Sequence, residues 1–283
     1  MLQKTISKEI SITGIGQHKG TKNTITLKPA DINTGITFII KGKVFPFTIE
    51  NVYGEAGYTT IGDLEKENVK TIEHLISAIH GLGIDNIIIE TQSEEIPITD
   101  GSSIPLIKEI EKASIIEQNA KKKFIKILKP IQYSDNTGDV SFSPSQNNFL
   151  TLDITIDYTG IKPIGIQSIK LNLTEDNYKT LIAPARTFAR LSDVEYLHSK
   201  GLCLGATLKS GVAVDEEKVI NEEGLRFPDE FVRHKVLDAI GDLYLLGHQI
   251  IGYYKSFKGG HFHNNKLVKK ILSDKSNYEI VEL

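Results

Sequence analysis

Twice along this chain short strand-like runs give way to helical spacing, and the polar, lysine-rich residues 118–123, which carry no apolar period, separate the two passes. A strand run has one apolar face to hide and an amphipathic helix one stripe, so each pass has to bury a sheet against helices. In the first pass residues 9–12, 24–28 and 36–40 read as strands, parted by turn-rich segments at 14–23 and 30–35, and antiparallel pairing is predicted. Residues 71–80 then place Ile72, Leu75, Ile76 and Ile79 at helical spacing, with Gly81 and Gly83 as the stop. Residues 86–90 return to strand. A second helix follows, with Ser102 and Ser103 as capping residues, Pro105 in its first turn and Leu106, Ile107 and Ile110 as its apolar face, fading near Ser114.

The second pass restarts the pattern. Residues 124–128, 140–142, 149–156 and 164–171 read as strands, and Thr174 caps a helix whose first turn carries Glu175 and Asp176. Residues 194–220 mix helical and strand character, residues 228–246 form the longest helix and 264–271 the last. The prediction is an α+β protein of two similar domains, 1–120 and 124–283, each a sheet with two main helices, although no residue-level repeat relates them.

A length of 283 residues is uncomfortable for a single core and agrees with two domains. The net charge of -3, with Lys and Arg dispersed, argues against a nucleic-acid surface, which needs a concentrated basic face. The single cysteine, Cys203, excludes an internal disulfide and a cysteine-based zinc cluster, and fits a reducing compartment. Residues 1–13 are polar and alternating rather than signal-like, and no run approaches the ~20 apolar residues of a membrane span. A cytoplasmic monomer without stable membrane insertion is expected, with transient contact open to it if a lipid substrate draws it to a bilayer.

The strongest local signal for chemistry is His234-Lys235-Val236-Leu237-Asp238 in the long helix. Four residues advance a helix by one turn plus about 40°, so His234 and Asp238 project from one face and can grip one ion, and Asp242 continues the stripe. A solvated face on which His and Asp happen to alternate with core residues is the bland alternative. In Glu73-His74 the two side chains point about 100° apart, so one can ligate a metal while the other faces a metal-activated water. No H-E-x-x-H motif is present. Lys258-Gly259-Gly260-His261 precedes the last helix. Its glycines allow close backbone approach to a ligand, Lys258 offers charge to a phosphate and His261 a proton, with a loop histidine facing water as the alternative and His263 as a competitor. The turn from Gly14 to Gly20 fits neither phosphate-loop pattern. His80, His198 and His248 read as helix-end or surface histidines, and Cys203 within Leu202-Cys203-Leu204 as a small hydrophobe.

Several stretches taken in order resemble one family: Thr71-Ile72-Glu73-His74-Leu75, Glu95-Ile96-Pro97-Ile98-Thr99-Asp100-Gly101-Ser102, Ala185-Arg186-Thr187-Phe188, Gly201-Leu202-Cys203-Leu204-Gly205, the helix motif ending His234-Lys235-Val236-Leu237-Asp238, and Lys258-Gly259-Gly260-His261-Phe262-His263. The family is the zinc-dependent UDP-3-O-acyl-N-acetylglucosamine deacetylases. The resemblance implies removal of the N-acetyl group from UDP-3-O-(3-hydroxyacyl)-N-acetylglucosamine with release of acetate, the committed step of lipid A biosynthesis in bacteria of the Gram-negative type. It implies a zinc ion on His74, His234 and Asp238, Glu73 as general base, and His261 as general acid, oriented and charged by Asp242. A His2Asp set also accepts Fe(II). Thr187 matches the residue whose hydroxyl stabilises the oxyanion, Phe188 an adjacent substrate contact, and Lys235, counted with the catalytic set, and Lys258 cationic positions around sugar and diphosphate. Tyr158 stands where the family often places phenylalanine against uracil.

The family fold packs the helices of both domains between the two sheets, with small β and βαβ insertions, so the site is expected in the cleft between domains. The second insertion, at about 191–219 here, implies an acyl passage lined by Val194, Leu197, Leu202, Cys203, Leu208, Val212 and Val214, with ordinary core as the alternative. Ala189-Arg190-Leu191 departs from the glycine and aromatic expected at the entrance, and His263 is an additional histidine. Two other classes are set against this reading: a noncatalytic binder of nucleotide- or lipid-linked sugar, and a zinc amidase for a different small acylated amine.

Overall fold

The computed structural model describes residues 1–55 and 57–283. The first pass forms a five-stranded sheet in the order Ile10–Ile15, Lys22–Pro29, Ile87–Thr91, Ile36–Ile40 and Lys43–Pro46. Its pairings are antiparallel except for Ile36–Ile40 against Ile87–Thr91, which run parallel. Alternate residues Ile25, Leu27, Phe38, Ile40, Ile87 and Ile89 are fully buried, the period-two pattern of a sheet with one covered face. A small three-stranded sheet, Val52–Gly54, Thr59–Gly62 and Asn68–Lys70, leads into helix α1 (Glu73–Gly81), and α2 (Ile104–Lys112) follows the last strand of the larger sheet. Of the two serines before α2, Ser102 accepts the Ile104 N–H at 3.3 Å, whereas the Ser103 hydroxyl does not cap but donates to the His74 carbonyl at 3.0 Å, tying the start of α2 to α1.

The lysine-rich residues 118–123, where the boundary between domains was expected, are mostly strand. Most belong to strand Ile115–Lys121, which pairs antiparallel with Leu2–Ile6. Lys122 is buried against Asp85 at 2.6 Å, and Lys123–Ile127 opens the next sheet at once. That sheet has seven strands, Lys123–Ile127, Ile131–Ser134, Asp139–Ser143, Leu150–Tyr158, Gly165–Asn172, Gln249–Phe257 and Tyr278–Glu282. Gln249–Phe257 lies inside it, pairing parallel with Lys123–Ile127 and Leu150–Tyr158 and antiparallel with Asp139–Ser143. The single turn α3 (Glu175–Asn177) is capped by the Thr174 hydroxyl, which accepts from the Asn177 N–H at 3.1 Å. A βαβ unit then inserts: strands Phe188–Arg190 and Val212–Val214 run parallel, with α4 (Leu191–Ser199) between them. Helices α5 (Glu230–Leu243) and α6 (His261–Leu272) follow. The last helix starts three residues before the predicted 264, so His261 stands in its first turn rather than in the preceding loop.

All nine residues of α1 are buried, as expected of a helix covered on every side. It packs on α5, which in turn lies against strands of the seven-stranded sheet, while α2 packs on both α1 and the first sheet. The crossing of α1 and α5 is close: a Cβ at Gly241 would fall 2.2 Å from the Glu73 carbonyl oxygen. His80 joins the same two helices. Its Nδ1–H donates to the Ile240 carbonyl at 2.8 Å, its ring stacks on Tyr244 at 4.1 Å, and burial pushes its pKa down to about 4, which corrects the surface reading of this helix-end histidine.

Candidate active site

The α1–α5 crossing sets the site. Glu73 and His74 occupy the first turn of α1, and His234, Asp238 and Asp242 form one stripe of α5. Glu230 anchors the start of α5: buried, it accepts the Arg186 backbone N–H at 3.0 Å and its guanidinium Nε at 2.9 Å. That pairing places the neighbouring Ala185 carbonyl beside His234, whose Nδ1–H donates to it at 3.1 Å. With its Nδ1 proton so placed, the His234 Nε2 lone pair is left free to face the interior.

His74, His234 and Asp238 converge, with one potential ligand atom from each within 4.8 Å of the others. The Asp238 Oδ1 atom lies 3.3 Å from His234 Nε2 and 3.6 Å from His74 Nε2. Among the described residues that buried oxygen has no hydrogen-bond partner, while Oδ2 accepts from Lys235 Nζ at 2.8 Å. Burial pushes the His234 pKa down to about 3, so its imidazole is neutral, the form a metal requires. Burial opposes charge on Asp238 too, but the Lys235 ammonium on its Oδ2 helps hold its carboxyl well below the ordinary range. A buried carboxylate oxygen without a donor, facing two imidazole nitrogens, fits a divalent cation.

Glu73 is buried, its Oε2 accepts the Thr59 backbone N–H at 2.9 Å, and burial raises its pKa above the usual carboxylate value. His261 presents Nδ1 to Asp242 Oδ2 at 2.8 Å and Nε2 toward Asp238 Oδ2 at 3.9 Å. Burial alone would lower its pKa, but the Asp242 charge and hydrogen bond outweigh burial and raise it to about 9. The imidazolium is therefore the neutral-pH form, suited to donate a proton. Asp242 is itself fixed by the Thr59 hydroxyl at 2.7 Å and Asn264 Nδ2 at 2.8 Å. His263 points elsewhere: its Nε2 meets Asp135 Oδ1 and Thr137 Oγ1, each at 3.1 Å. The two histidines therefore do not share a partner.

Phe188 forms an aromatic wall beside this centre, edge-on to His234 at 6.2 Å, to Phe231 at 4.9 Å and to Tyr158 at 5.6 Å. Lys235 Nζ sits 5.6 Å from the Phe188 ring centre. Lys258 stands apart, partly exposed, with Nζ 4.0 Å from Asp157. Thr187 is held between two backbone neighbours, its N–H donating to Gly101 at 2.8 Å and its carbonyl accepting from Val212 at 2.7 Å. From Thr187 and Phe188 a cavity of about 210 Å³ runs into the βαβ unit, where Val194, Leu208 and Val212 line it with Ala189 and Leu191. Leu197, Leu202, Cys203 and Val214 are not among its lining residues. Leu202 is 52% exposed, Val214 is fully buried in the core, and the Cys203 thiol lies 3.8 Å from His18 Nδ1.

Sequence reasoning missed Thr59, which holds both Glu73 and Asp242, and the Asn264 contact to Asp242. Asn264 sits next to the His261–His263 motif and was open to suspicion, whereas nothing around Thr59 marks it.

The family described as UDP-3-O-acyl N-acetylglycosamine deacetylase matches residues 3–273. Curated proteins named UDP-3-O-acyl-N-acetylglucosamine deacetylase are similar over the full length. The Wolinella succinogenes protein is 43% identical, covering 100% of this chain and 94% of the relative. The Haemophilus influenzae protein is 42% identical, covering 99% and 92%, and that of Neisseria meningitidis 40%, covering 100% and 94%. With such a match over nearly its whole length, and with the buried histidine–aspartate centre in place, this chain belongs to the UDP-3-O-acyl-N-acetylglucosamine deacetylase family.

Proposed function

We propose that this protein hydrolyses the acetamide of UDP-3-O-(3-hydroxyacyl)-N-acetylglucosamine, the lipid A step, using zinc held by His74, His234 and Asp238. The observation that carries the reading is the meeting, in one buried centre, of a three-residue ligand set with a carboxylate of raised pKa, Glu73, and a histidine protonated at neutral pH, His261. When bound there, a divalent ion supplies a Lewis acid for the acetyl carbonyl and lowers the pKa of water. Glu73, steadied by the Thr59 N–H, takes a proton from the attacking water. His261 keeps its Nδ1 proton on Asp242 and gives its Nε2 proton to the amine as the C–N bond breaks. The Thr187 hydroxyl donates to the developing oxyanion. Lys235 and Lys258 offer charge to the sugar and diphosphate, and Tyr158 an aromatic face to uracil. The acyl chain occupies the cavity that opens at Thr187 and Phe188.

Chelation should stop acetate release and added zinc should restore it, while Glu73→Ala and His261→Ala should each lower kcat by roughly 10²–10⁴-fold. Full activity in the double variant would defeat the mechanism. Metal analysis of protein purified without added metal decides between zinc and Fe(II).

A further inference from the structure

Gln17 enters the acyl cavity from the first half of the chain, whereas every other lining residue comes from the segment between Thr187 and Ala213. Its Oε1 is buried and has no hydrogen-bond partner among the described residues. Two polar neighbours in the lining are already engaged: Ser210 Oγ accepts from the Thr207 N–H at 2.9 Å and donates to Gly205 at 3.1 Å, and His198 Nε2 donates to Cys203 O at 2.8 Å. The backbone at residue 17 is clamped where it stands. Gly205 N–H donates to the Gln17 carbonyl and Leu204 N–H to the His18 carbonyl, both at 3.0 Å, and a Cβ at Gly205 would come within 2.0 Å of Gly16 O.

A buried amide oxygen left without a donor in an apolar cavity is costly, and a hydrocarbon chain sliding past it keeps that cost in place. A hydroxyl on the chain removes it. A hydroxyl both donates and accepts, so it pairs with the amide whichever way the amide is turned. We propose that Gln17 is a specificity-determining residue that selects an acyl chain bearing a hydroxyl over an unsubstituted chain of the same length. The inference rests on the deacetylase reading above.

The test compares kcat/KM for acetate release from UDP-3-O-(3-hydroxyacyl)- and UDP-3-O-acyl-N-acetylglucosamine of equal chain length. The metal-loaded wild-type protein should prefer the hydroxylated substrate by about 10-fold. In Gln17→Leu and in the near-isosteric Gln17→Met the ratio should fall toward one. A wild-type ratio near one, which needs no variant, overturns the proposal, and so does a ratio left unchanged in either folded variant. A wild type that releases acetate from neither substrate overturns the deacetylase reading itself.

Discussion

Thr59 serves both proton-transfer arms of the site, its N–H on Glu73 and its hydroxyl on Asp242. The two arms titrate in opposite senses. As the proposed base Glu73 works only when ionised, so kcat/KM should rise as pH climbs through its raised pKa. As the proposed acid His261 works only when protonated, so kcat/KM should fall as pH climbs through about 9. Asp242→Asn removes the charge that lifts His261, and the falling limb should move to lower pH by roughly one to three units, read from a kcat/KM–pH profile. His263→Ala, which breaks contacts to Asp135 and Thr137, should leave the limb where it is. A limb unmoved by Asp242→Asn would remove His261 from the acid role. The groups proposed to ligate or to move protons were legible less from any one short motif than from the ordered series of motifs that resembles one family. Thr59 was not, since it acts partly through its backbone and on a partner 183 residues away.

The α1–α5 crossing depends on Gly241 as much as on the apolar residues around it. Gly241→Ala would set a methyl group 2.2 Å from the Glu73 carbonyl, forcing the helices apart. The expected loss is about 1–3 kcal/mol in denaturant unfolding, with weaker zinc binding, because Glu73 and His74 ride on the displaced helix. Unchanged stability and zinc affinity would mean that the crossing is soft. The main helices were legible as elements because of their apolar stripes, and the Thr174 cap of α3 was read correctly, yet the start of α6 was not: it follows Gly260, whose extended backbone carries no side-chain capping signal. Gln249–Phe257 escaped notice as a strand for a related reason. Gly252 interrupts its pattern where Ile127 and Phe142 press within 3.0 and 3.1 Å of a would-be Cβ, so the feature that lets the strand sit inside the sheet also breaks its strand signal.

At the scale of the molecule, one proposed ligand comes from the first pass of the chain and two from the second. Metal bound across them favours only the assembled form, by about 4 kcal/mol when free zinc is 1,000 times its Kd. Chelation should therefore lower the thermal midpoint as well as the rate, and an unchanged midpoint in calorimetry would place the ion elsewhere. No helix among the described residues is long and apolar enough to cross a membrane. The position of Gln249–Phe257 also governs the order in which the protein can be made. Its three partner strands, Lys123–Ile127, Asp139–Ser143 and Leu150–Tyr158, leave the ribosome well before it and must wait without their shared neighbour. Closing so distant a contact is slow, and exposed edges persist meanwhile. His261 follows directly behind that strand. A nascent chain therefore receives His261, its proposed acid, only after that shared strand has been made.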